Sequence, residues 1–242
     1  MVAGGCADAL LIRTVEQTGS TNADMLALAV AGAPEGSWLR AERQTGGRGR
    51  QGRAWESPSG NFYGSTLVRL RPTDPAAATL ALVAAVALED SVRVFLRRGA
   101  MLKWPNDLLI DGAKLSGILL ERAGDAVVVG IGVNLAHHPD LPDRPATSLM
   151  AQGVAVEVEA FADVLAESFT RWLARWRGEG LSVVRARWLE RAHPVGTALS
   201  SALPDGSKVE GLFDGLDAEG GLILRDASGT RRIIHAGDVF ML

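Results

Sequence analysis

The sequence predicts a protein that mixes helices and strands over most of its length and ends in a small unit built only of strands. Helical and strand patterns alternate as far as residue 192, which is typical of a mixed α and β fold. Beyond His193-Pro194, short apolar runs are separated by turn pairs such as Asp205-Gly206, a spacing that favours a small β-barrel. We therefore expect two domains, residues 1–192 and residues 193–242.

Composition narrows the class of protein. The 242 residues are 47% hydrophobic and 22% charged, as in an ordinary globular protein, and the net charge of −3 argues against a general nucleic-acid binder. The single cysteine, Cys6, excludes an internal disulfide and favours a reducing compartment. The longest apolar run, residues 76–88, is rich in alanine and ends at Glu89 and Asp90, so it predicts a buried helix and not a membrane span. We expect a soluble protein of the cytoplasm.

Each element of the first part follows from a local pattern. Ser20-Thr21-Asn22 supplies side chains that cap a helix. The following segment of Gly, Arg and Ser has no hydrophobic period, so we expect a loop that is mobile without ligand. The predicted elements are a strand over residues 10–15, a helix over 23–31, a strand over 38–43, a loop over 44–60 and a strand over 62–69.

The next part begins with Asp74-Pro75, a capping aspartate followed by a proline suited to the first helical position. Farther along, Asp111-Gly112 separates two apolar runs and predicts a hairpin. Three prolines then predict a loop over residues 137–147. The predicted elements are a helix over residues 74–98, strands over 108–110, 115–121 and 126–135, and helices over 161–177 and 183–192.

The segment Gly46-Gly47-Arg48-Gly49-Arg50-Gln51-Gly52-Arg53 carries the most specific pattern in the chain. Its four glycines let backbone N–H groups approach a ligand closely, and its three arginines are suited to holding phosphate oxygens in pairs. Trp55 follows within two residues and is suited to stacking on an adenine ring. A nucleotide and RNA are the two polyanions that fit such a segment.

Other interpretations of this Arg-Gly segment stay open at this point. A solvated basic loop without function is one of them, and an RNA-binding module is another. RNA-binding segments of this kind are usually repeated and basic over a longer stretch, whereas here a single run lies in an acidic chain. The segment lacks the Gly-Lys-Ser/Thr ending of a Walker A loop and the strand–turn–helix context of a dinucleotide fingerprint. These features favour a loop at a binding site.

The run Lys103-Trp104-Pro105-Asn106-Asp107 is the second candidate group. Pro105 disfavours a helical conformation at Trp104, so Asn106 and Asp107 are expected on a turn. Asp107 would there face a magnesium ion or a ribose hydroxyl. An Asx turn between two strands is the structural alternative.

A third group is associated with the strands that follow. Lys114 begins an apolar strand with Gly117 three residues on, an arrangement that suits either a pocket or a solvated surface lysine. Asn134 ends a glycine-bearing strand, either beside a ligand or as a strand-end cap. The pair His137-His138 lies in the proline-rich loop without accompanying cysteines or carboxylates, so no zinc site is expected.

Together and in this order, these groups resemble the bacterial biotin protein ligases, also called biotin–[acetyl-CoA-carboxylase] ligases. The resemblance covers nearly the whole chain, and the Arg-Gly and Trp-Pro-Asn-Asp groups together are highly specific. The residues that carry it are Gly19-Ser20-Thr21-Asn22, Gln44, Gly47-Arg48-Gly49-Arg50-Gln51-Gly52-Arg53, Trp55, Lys103-Trp104-Pro105-Asn106-Asp107, Lys114-Leu115-Ser116-Gly117-Ile118-Leu119 and Gly130-Ile131-Gly132-Val133-Asn134.

The resemblance implies an α+β fold, in which a mixed sheet backed by helices, as in class II synthetases, is followed by a small SH3-like β-barrel. It also implies a two-step reaction. Biotin and MgATP give biotinyl-5′-AMP and pyrophosphate, and the biotinyl group then passes to a lysine of a biotin carboxyl carrier protein. ATP and Mg²⁺ are the implied cofactors, without assigned magnesium ligands.

The resemblance also implies residue roles. Lys114, Arg48 and Arg50 are the expected catalytic cations, which would bring the biotin carboxylate and the α-phosphate together. The expected biotin-binding residues are Ser20, Thr21, Asn22, Gln44, Gly47, Arg48, Gly49, Arg50, Lys114 and Gly117. The expected ATP-binding residues are Arg48, Arg50, Arg53, Trp55, Asn106, Asp107, Lys114 and Asn134.

Two rival functions and three statements about partners complete the expectations. A lipoate or octanoate ligase or transferase shares the implied fold, and an RNA-binding module is the rival from another class. The Ser20-Thr21-Asn22 group begins so early in the chain that no N-terminal helix-turn-helix domain fits, so we expect no specific DNA binding. We expect no membrane association, and an exposed sheet edge would allow a homodimer.

Overall fold

The computed structural model describes residues 12–140, 144–203 and 205–241, which form two sheets and four α-helices. The larger sheet consists of β1 (Ile12–Thr18), β2 (Trp38–Gln44), β3 (Phe62–Arg69), β4 (Met101–Lys103), β5 (Asp107–Ile110), β6 (Ala113–Ala123) and β7 (Ala126–Val133). The smaller sheet consists of β8 (Ala198–Ala202), β9 (Lys208–Leu216), β10 (Leu222–Arg225), β11 (Arg231–Ile234) and β12 (Asp238–Met241). The helices are α1 (Thr21–Val30), α2 (Leu80–Phe95), α3 (Val158–Glu179) and α4 (Leu181–Leu189).

The two sheets have different topologies. In the larger sheet the strand order is β1-β2-β3-β7-β6-β5-β4, and the pair β1–β2 is parallel while every other pair is antiparallel. The smaller sheet is antiparallel throughout, in the order β11-β10-β9-β8-β12. The predicted combination of a mixed sheet with helices and a C-terminal β unit is confirmed.

Strand β7 shows how the larger sheet separates a packed face from an open one. Side chains on a strand alternate between the two faces, and Val127 and Val129 pack into the main core beneath α2 and α3. Val128 points the other way and packs under α1 with Leu39 and Leu67. Farther along this second face β7 carries Gly130 and Gly132 in place of larger residues. The face covered by α1 therefore continues into a region without side-chain bulk.

Helices α2, α3 and α4 cover the packed face, and a group of charges around the buried Glu89 connects α2 to α4 and the residues after it. The Glu89 side chain is 1% exposed and lies 2.8 Å from Arg187, while Arg191 lies 3.6 Å away. Arg187 also contacts Asp90 at 2.6 Å. Burial raises the pKa of Glu89, because its charged form loses hydration that the arginines only partly replace. We refer to Glu89, Asp90, Arg187 and Arg191 as the helix-layer cluster.

Helix α2 begins later and ends earlier than the predicted range of residues 74–98. A short 3₁₀ turn at Ala77–Thr79 precedes it, and its last residue is Phe95. Asp74 does not cap the helix, because its carboxylate accepts the Arg71 backbone N–H at 3.0 Å and pairs with Arg177 at 3.2 Å. At the other end Leu96 is extended and buried, which ends the helix. The predicted start at Asp74-Pro75 was wrong because the Asp74 carboxylate forms an ion pair with Arg177, which is distant in the sequence.

The first part of the chain follows its prediction more closely. Helix α1 starts directly after Ser20, which has the extended backbone of an N-cap residue but makes no side-chain capping bond. The helix therefore begins two residues before the predicted start at residue 23, and the side-chain cap expected from the Ser20-Thr21-Asn22 group does not form at Ser20. Strand β1 is described from Ile12 onward, and both Cys6 and the predicted strand start at Leu10 lie outside the described residues.

The β5–β6 hairpin is confirmed with the predicted turn. Asp111 and Gly112 both have positive φ angles, of 49° and 79°, as a two-residue turn between antiparallel strands requires. Within the described parts of the chain, none of the helices combines the length and the apolar character needed to cross a bilayer.

Candidate active site

A cavity of about 380 Å³ opens on the face of the larger sheet beyond α1. It brings together nearly all the expected site residues, although they are spread over more than a hundred positions of the sequence. These are Ser20, Thr21, Asn22, Gln44, Arg48, Gly49, Arg50, Arg53, Trp55, Asn106, Asp107, Lys114, Gly117 and Asn134. Gly47 does not line the cavity. A Cβ there would lie 2.5 Å from the Trp55 carbonyl oxygen and 2.6 Å from Ser57 Oγ, so this glycine serves the turn behind the site.

The floor of the cavity is made by glycines on neighbouring strands. Gly117 on β6 is the cross-strand partner of Gly132 on β7. The indole of Trp55 lies against both of them, since a Cβ would come within 3.2 Å of the ring at Gly117 and within 2.7 Å at Gly132. Any larger residue at Gly132 would therefore displace Trp55. The indole Nε1 is buried and finds no hydrogen-bond partner among the described residues.

Lys114 reaches the same face as Gly117 because β6 carries a bulge. Residues three apart on a regular strand lie on opposite faces. Here the register of β5 and β6 shifts, so that Leu109 pairs with Lys114 but Leu108 pairs with Ser116, and such a shift re-aims a side chain. The Lys114 ammonium lies 2.6 Å from Asp107 Oδ1 and 5.5 Å from the centre of the Trp55 ring.

A network of side-chain hydrogen bonds lies where α1 begins. Gln44 Oε1 accepts from the Thr21 backbone N–H at 2.9 Å and from the Thr21 hydroxyl at 3.2 Å. Asn22 Nδ2 donates to Glu121 at 2.8 Å and to the Leu119 carbonyl at 3.4 Å. These bonds connect the expected biotin residues of two distant segments to the middle of β6.

Ser65 belongs to this network and was missed by the sequence analysis. It is completely buried on β3, and its hydroxyl lies 2.6 Å from Asn22 Oδ1 and 2.8 Å from Thr21 Oγ1. Its cross-strand partner on β7 is Gly130. The sequence did contain a signal for this residue, since Gly64 and Ser65 are adjacent in a strand of otherwise larger residues. A hydroxyl in a buried strand usually has a hydrogen-bond partner, which indicates a polar contact there.

The arginines of the Arg-Gly segment differ in their contacts. Arg50 donates to Asn106 Oδ1 at 3.4 Å and, through both terminal nitrogens, to the Gly237 carbonyl at 3.2 Å. Arg53 pairs with Asp238. The Arg48 side chain is 49% exposed and lies 3.9 Å from a carboxylate on β6. The smaller sheet, which supplies Gly237 and Asp238, therefore forms part of the cavity wall.

Asn106 and Asn134 use their amides on backbone carbonyls that shape the cavity. Asn106 Nδ2 donates to the Ile118 carbonyl at 2.7 Å. Asn134 Nδ2 donates to the Thr147 carbonyl at 3.0 Å and to the Lys114 carbonyl at 3.5 Å. Both residues thus hold the backbone of the strand that carries Lys114, and Asn134 is more than a strand-end cap.

Positive charge predominates in the cavity. Among the described residues that line it are six cationic side chains and three carboxylates. The cations are Arg48, Arg50, Arg53, Lys103, Lys114 and Arg144, and the carboxylates are Glu56, Asp107 and Asp238. Burial lowers the pKa of Lys103, which the sequence analysis did not count among the site residues. A cavity with this balance suits a polyanionic ligand.

The residues of the cavity fit a magnesium ion that arrives with a substrate. No group of three or more His, Cys, Asp or Glu side chains suited to a metal occurs in the described part of the chain. Mg²⁺ commonly needs only one or two protein carboxylates when phosphates supply the other oxygens. Asp107 lies in the cavity beside Lys114 and is the carboxylate placed to do so.

Comparison with known proteins agrees with this geometry. Residues 14–135 match the Biotin/lipoate A/B protein ligase family, and residues 202–242 match the Biotin protein ligase C terminal domain. The biotin–[acetyl-CoA-carboxylase] ligase of Paracoccus denitrificans is 42% identical over 237 residues, which cover 93% of this chain and 98% of that protein. Its counterpart from Mycobacterium tuberculosis is 38% identical, with 94% and 88% covered.

A solved structure has the same fold. The biotin protein ligase from Aquifex aeolicus in complex with biotin and ATP superposes with a TM-score of 0.84 at 23% identity, over 96% of this chain and 99% of that chain. The family match spans the glycine floor, the Arg-Gly segment and Lys114, and the sequence likeness extends over almost the entire length. The chain therefore belongs to the biotin/lipoate A/B protein ligase family, together with the biotin–[acetyl-CoA-carboxylase] ligases.

Proposed function

We propose that this protein is a biotin–[acetyl-CoA-carboxylase] ligase, which activates biotin with MgATP and transfers it to a lysine of a carrier protein. The observation that carries the proposal is the arrangement of the cavity along β6. Asn22 lies 3.4 Å from the Leu119 carbonyl, and the ammonium of Lys114 lies 3.3 Å from where a Cβ of Gly117 would be, two positions away on the same strand. A molecule with a polar ring at one end and a carboxylate at the other can therefore contact the Asn22 network and the Lys114 ammonium together.

In the activation step, a biotin carboxylate oxygen attacks the α-phosphorus of ATP. A new P–O bond forms, the bond to the β-phosphate oxygen breaks, and pyrophosphate leaves. Two anions must meet for this to happen, so Lys114, Arg48 and Arg50 have the role of neutralising them. Preorganised cations of this kind are commonly the largest catalytic contribution, at about 3–4 kcal/mol each. Magnesium bound to the phosphates supplies further neutralisation when present, and Asp107 is placed to hold it.

In the transfer step, the neutral ε-amine of the carrier lysine attacks the carbonyl carbon of biotinyl-5′-AMP. An amide bond forms, AMP leaves, and the amine loses a proton to solvent. The ribose and adenine would lie toward Trp55, Asn106 and Arg53. The biotin ring would lie beside Ser20, Thr21, Asn22 and Gln44.

Biotin-dependent exchange of pyrophosphate into ATP tests the first step. We expect exchange with biotin and none with lipoate or octanoate. Lys114→Ala should reduce the rate by about 10²–10³-fold, because it removes a cation from the point where the two anions meet. Lys208→Ala is the matched control, since Lys208 is an exposed lysine of β9 outside the cavity, and it should retain the full rate.

The outcomes separate the candidate functions. Exchange with lipoate in place of biotin would move the protein to the lipoate branch of its family. A folded protein without exchange for any of the three acids would contradict the proposal. Transfer is then tested with a biotin carboxyl carrier domain, whose biotinylation should require both biotin and ATP.

Four wider expectations accompany the function. We propose a domain boundary near residue 192, because the last helix ends at Leu189 and the smaller sheet begins at Ala198. Location in the cytoplasm, assembly as a homodimer and the lack of specific DNA binding stay predictions.

A further inference from the structure

Strand β12 places one carboxylate of the smaller sheet among the arginines of the Arg-Gly segment. Asp238 is the first residue of β12, and its side chain is 19% exposed. It pairs with Arg53 and lies 3.6 Å from Arg50. The next residue, Val239, is buried and fixes the strand beneath the contact. The expected phosphate-binding arginines therefore share an internal anion from a distant part of the sequence.

The two arginines depend on the smaller sheet in different ways. Arg50 donates to the Gly237 carbonyl, a neutral acceptor, and still has other N–H groups for a ligand. Gly237 packs closely against Ser201, since a Cβ at this position would lie 2.6 Å from Ser201 Oγ. Arg53, by contrast, directs its Nη2 at Asp238 and at Gln51 Oε1. Arg50 can thus bind a phosphate without giving up its neutral anchor, whereas a phosphate that takes Arg53 Nη2 must displace the Asp238 carboxylate.

We propose that Asp238 is an internal competitor of nucleotide phosphate, which holds Arg53 on the smaller sheet and must release it when ATP binds. The inference rests on the proposed function, because it takes the Arg-Gly segment to be the phosphate site. A carboxylate and a phosphate both accept charge-assisted hydrogen bonds from a guanidinium, so they compete for Arg53 Nη2. The Asp238 charge also repels the triphosphate directly.

This role makes Asp238 a residue that sets the affinity for ATP but not for biotin. The biotin side of the cavity is formed around Asn22 and Gln44, whose hydrogen-bond partners within the described part of the chain lie outside β12. A change of charge at Asp238 should therefore separate the two ligands. A purely structural role of the Asp238–Arg53 pair would instead weaken ATP binding when the pair is broken, because Arg53 would lose its order.

The test measures dissociation constants of ATP and biotin separately with the full-length protein and three variants. Asp238→Asn should bind ATP about three- to fivefold more tightly, a magnitude typical of a partly exposed ion pair, with biotin affinity unchanged. Asp238→Glu keeps the charge and should behave like the wild type. Asp214→Asn is the matched control. It removes another aspartate of the smaller sheet, paired with Arg231 at 2.6 Å but outside the cavity, and should change neither constant.

Salt and ligand controls sharpen the result. The ratio of ATP constants between Asp238→Asn and the wild type should approach one near 1 M salt, where the screening length falls to about 3 Å. Adenosine carries no phosphate and should bind all variants alike. Unchanged or weaker ATP binding by a folded Asp238→Asn protein would overturn the proposal, as would tighter binding by Asp238→Glu. If the wild type shows no biotin-dependent pyrophosphate exchange, the proposed ligase function is contradicted. This result differs from unchanged ATP affinity in Asp238→Asn, which contradicts only the role of Asp238.

Discussion

Two regions of this molecule concentrate charge, and they do so in opposite ways. In the helix-layer cluster Glu89 is buried, the other three side chains are partly buried, and the charges are closely matched, with Glu89 and Asp90 both within 2.8 Å of Arg187. The cavity holds twice as many cations as carboxylates, and several of its arginines stay partly exposed. Matched charges hold the helices together. The excess of cations over carboxylates gives the cavity a net positive charge, which favours an anionic ligand.

The two regions also differ in the side chains that surround the charges. The helix layer is filled by the alanines, valines and leucines of α2, nearly all of them fully buried. The cavity is floored by Gly117, Gly130 and Gly132, whose lack of side chains lets Trp55 and Asn22 lie close to the sheet. Removing a charge should therefore cost stability in the first region and ligand affinity in the second.

The largest effect on stability is expected from Arg187→Ala. It leaves Glu89 and Asp90 buried without their closest cation, and breaking such a buried pair costs about 3 kcal/mol or more. Chemical denaturation measures the change in the free energy of unfolding. Arg175→Ala is the control, because the Arg175–Glu179 pair is exposed on one helix and contributes under about 1 kcal/mol. Equal losses in both variants would contradict the distinction between the two regions.

A smaller effect, on ligand binding, is expected from Gly130→Ala. The added Cβ would lie 2.1 Å from Asn22 Oδ1 and would push Asn22 away from Ser65. Overpacking of this kind costs about 1–3 kcal/mol, so biotin should bind roughly tenfold more weakly or worse. Titration calorimetry provides the measurement. In Gly178→Ala, where the Cβ of α3 would meet nothing within 4 Å, biotin binding should be unchanged. Wild-type affinity in a folded Gly130→Ala protein would remove Asn22 from the biotin site.

The smallest expected effect concerns the Glu35–Arg177 ion pair outside the cavity, whose contribution to the free energy of unfolding should depend on pH. The Arg177 guanidinium holds the pKa of Glu35 below its ordinary value of 4.5. A carboxyl group with a lowered pKa in the fold adds stability above its unfolded pKa and loses it as the pH falls through the folded value. The free energy of unfolding should therefore differ between the wild type and Glu35→Gln by about 1 kcal/mol near pH 7, and the difference should shrink as the pH falls below 4.5 and disappear below the lowered folded pKa of Glu35.

The exposed residue Glu16 on β1 provides the control for that measurement. Glu16→Gln should change the free energy of unfolding by less than about 0.5 kcal/mol at neutral pH. A difference for Glu35→Gln that grows in acid would contradict the assigned role of Arg177.

Local patterns in the chain predicted the elements well where the cause was local. The Asp111-Gly112 turn and strand β3 appear where the sequence places them, because turn conformation and side-chain alternation depend on neighbouring residues. The start of α2 was wrong because Asp74 is used by Arg177, more than a hundred positions away. No local pattern contains that information.

The site residues show the same division. The sequence by itself determined which chemical groups the protein has: the glycine-bearing strands, the Arg-Gly segment and Lys114, all of which line or border the cavity. Only the tertiary structure decided that a bulge turns Lys114 onto the face of Gly117, that Ser65 supports Asn22, and that Asp238 lies against Arg53. The physical reason is that strand register and domain contact set these distances, and both depend on packing between segments far apart in the chain.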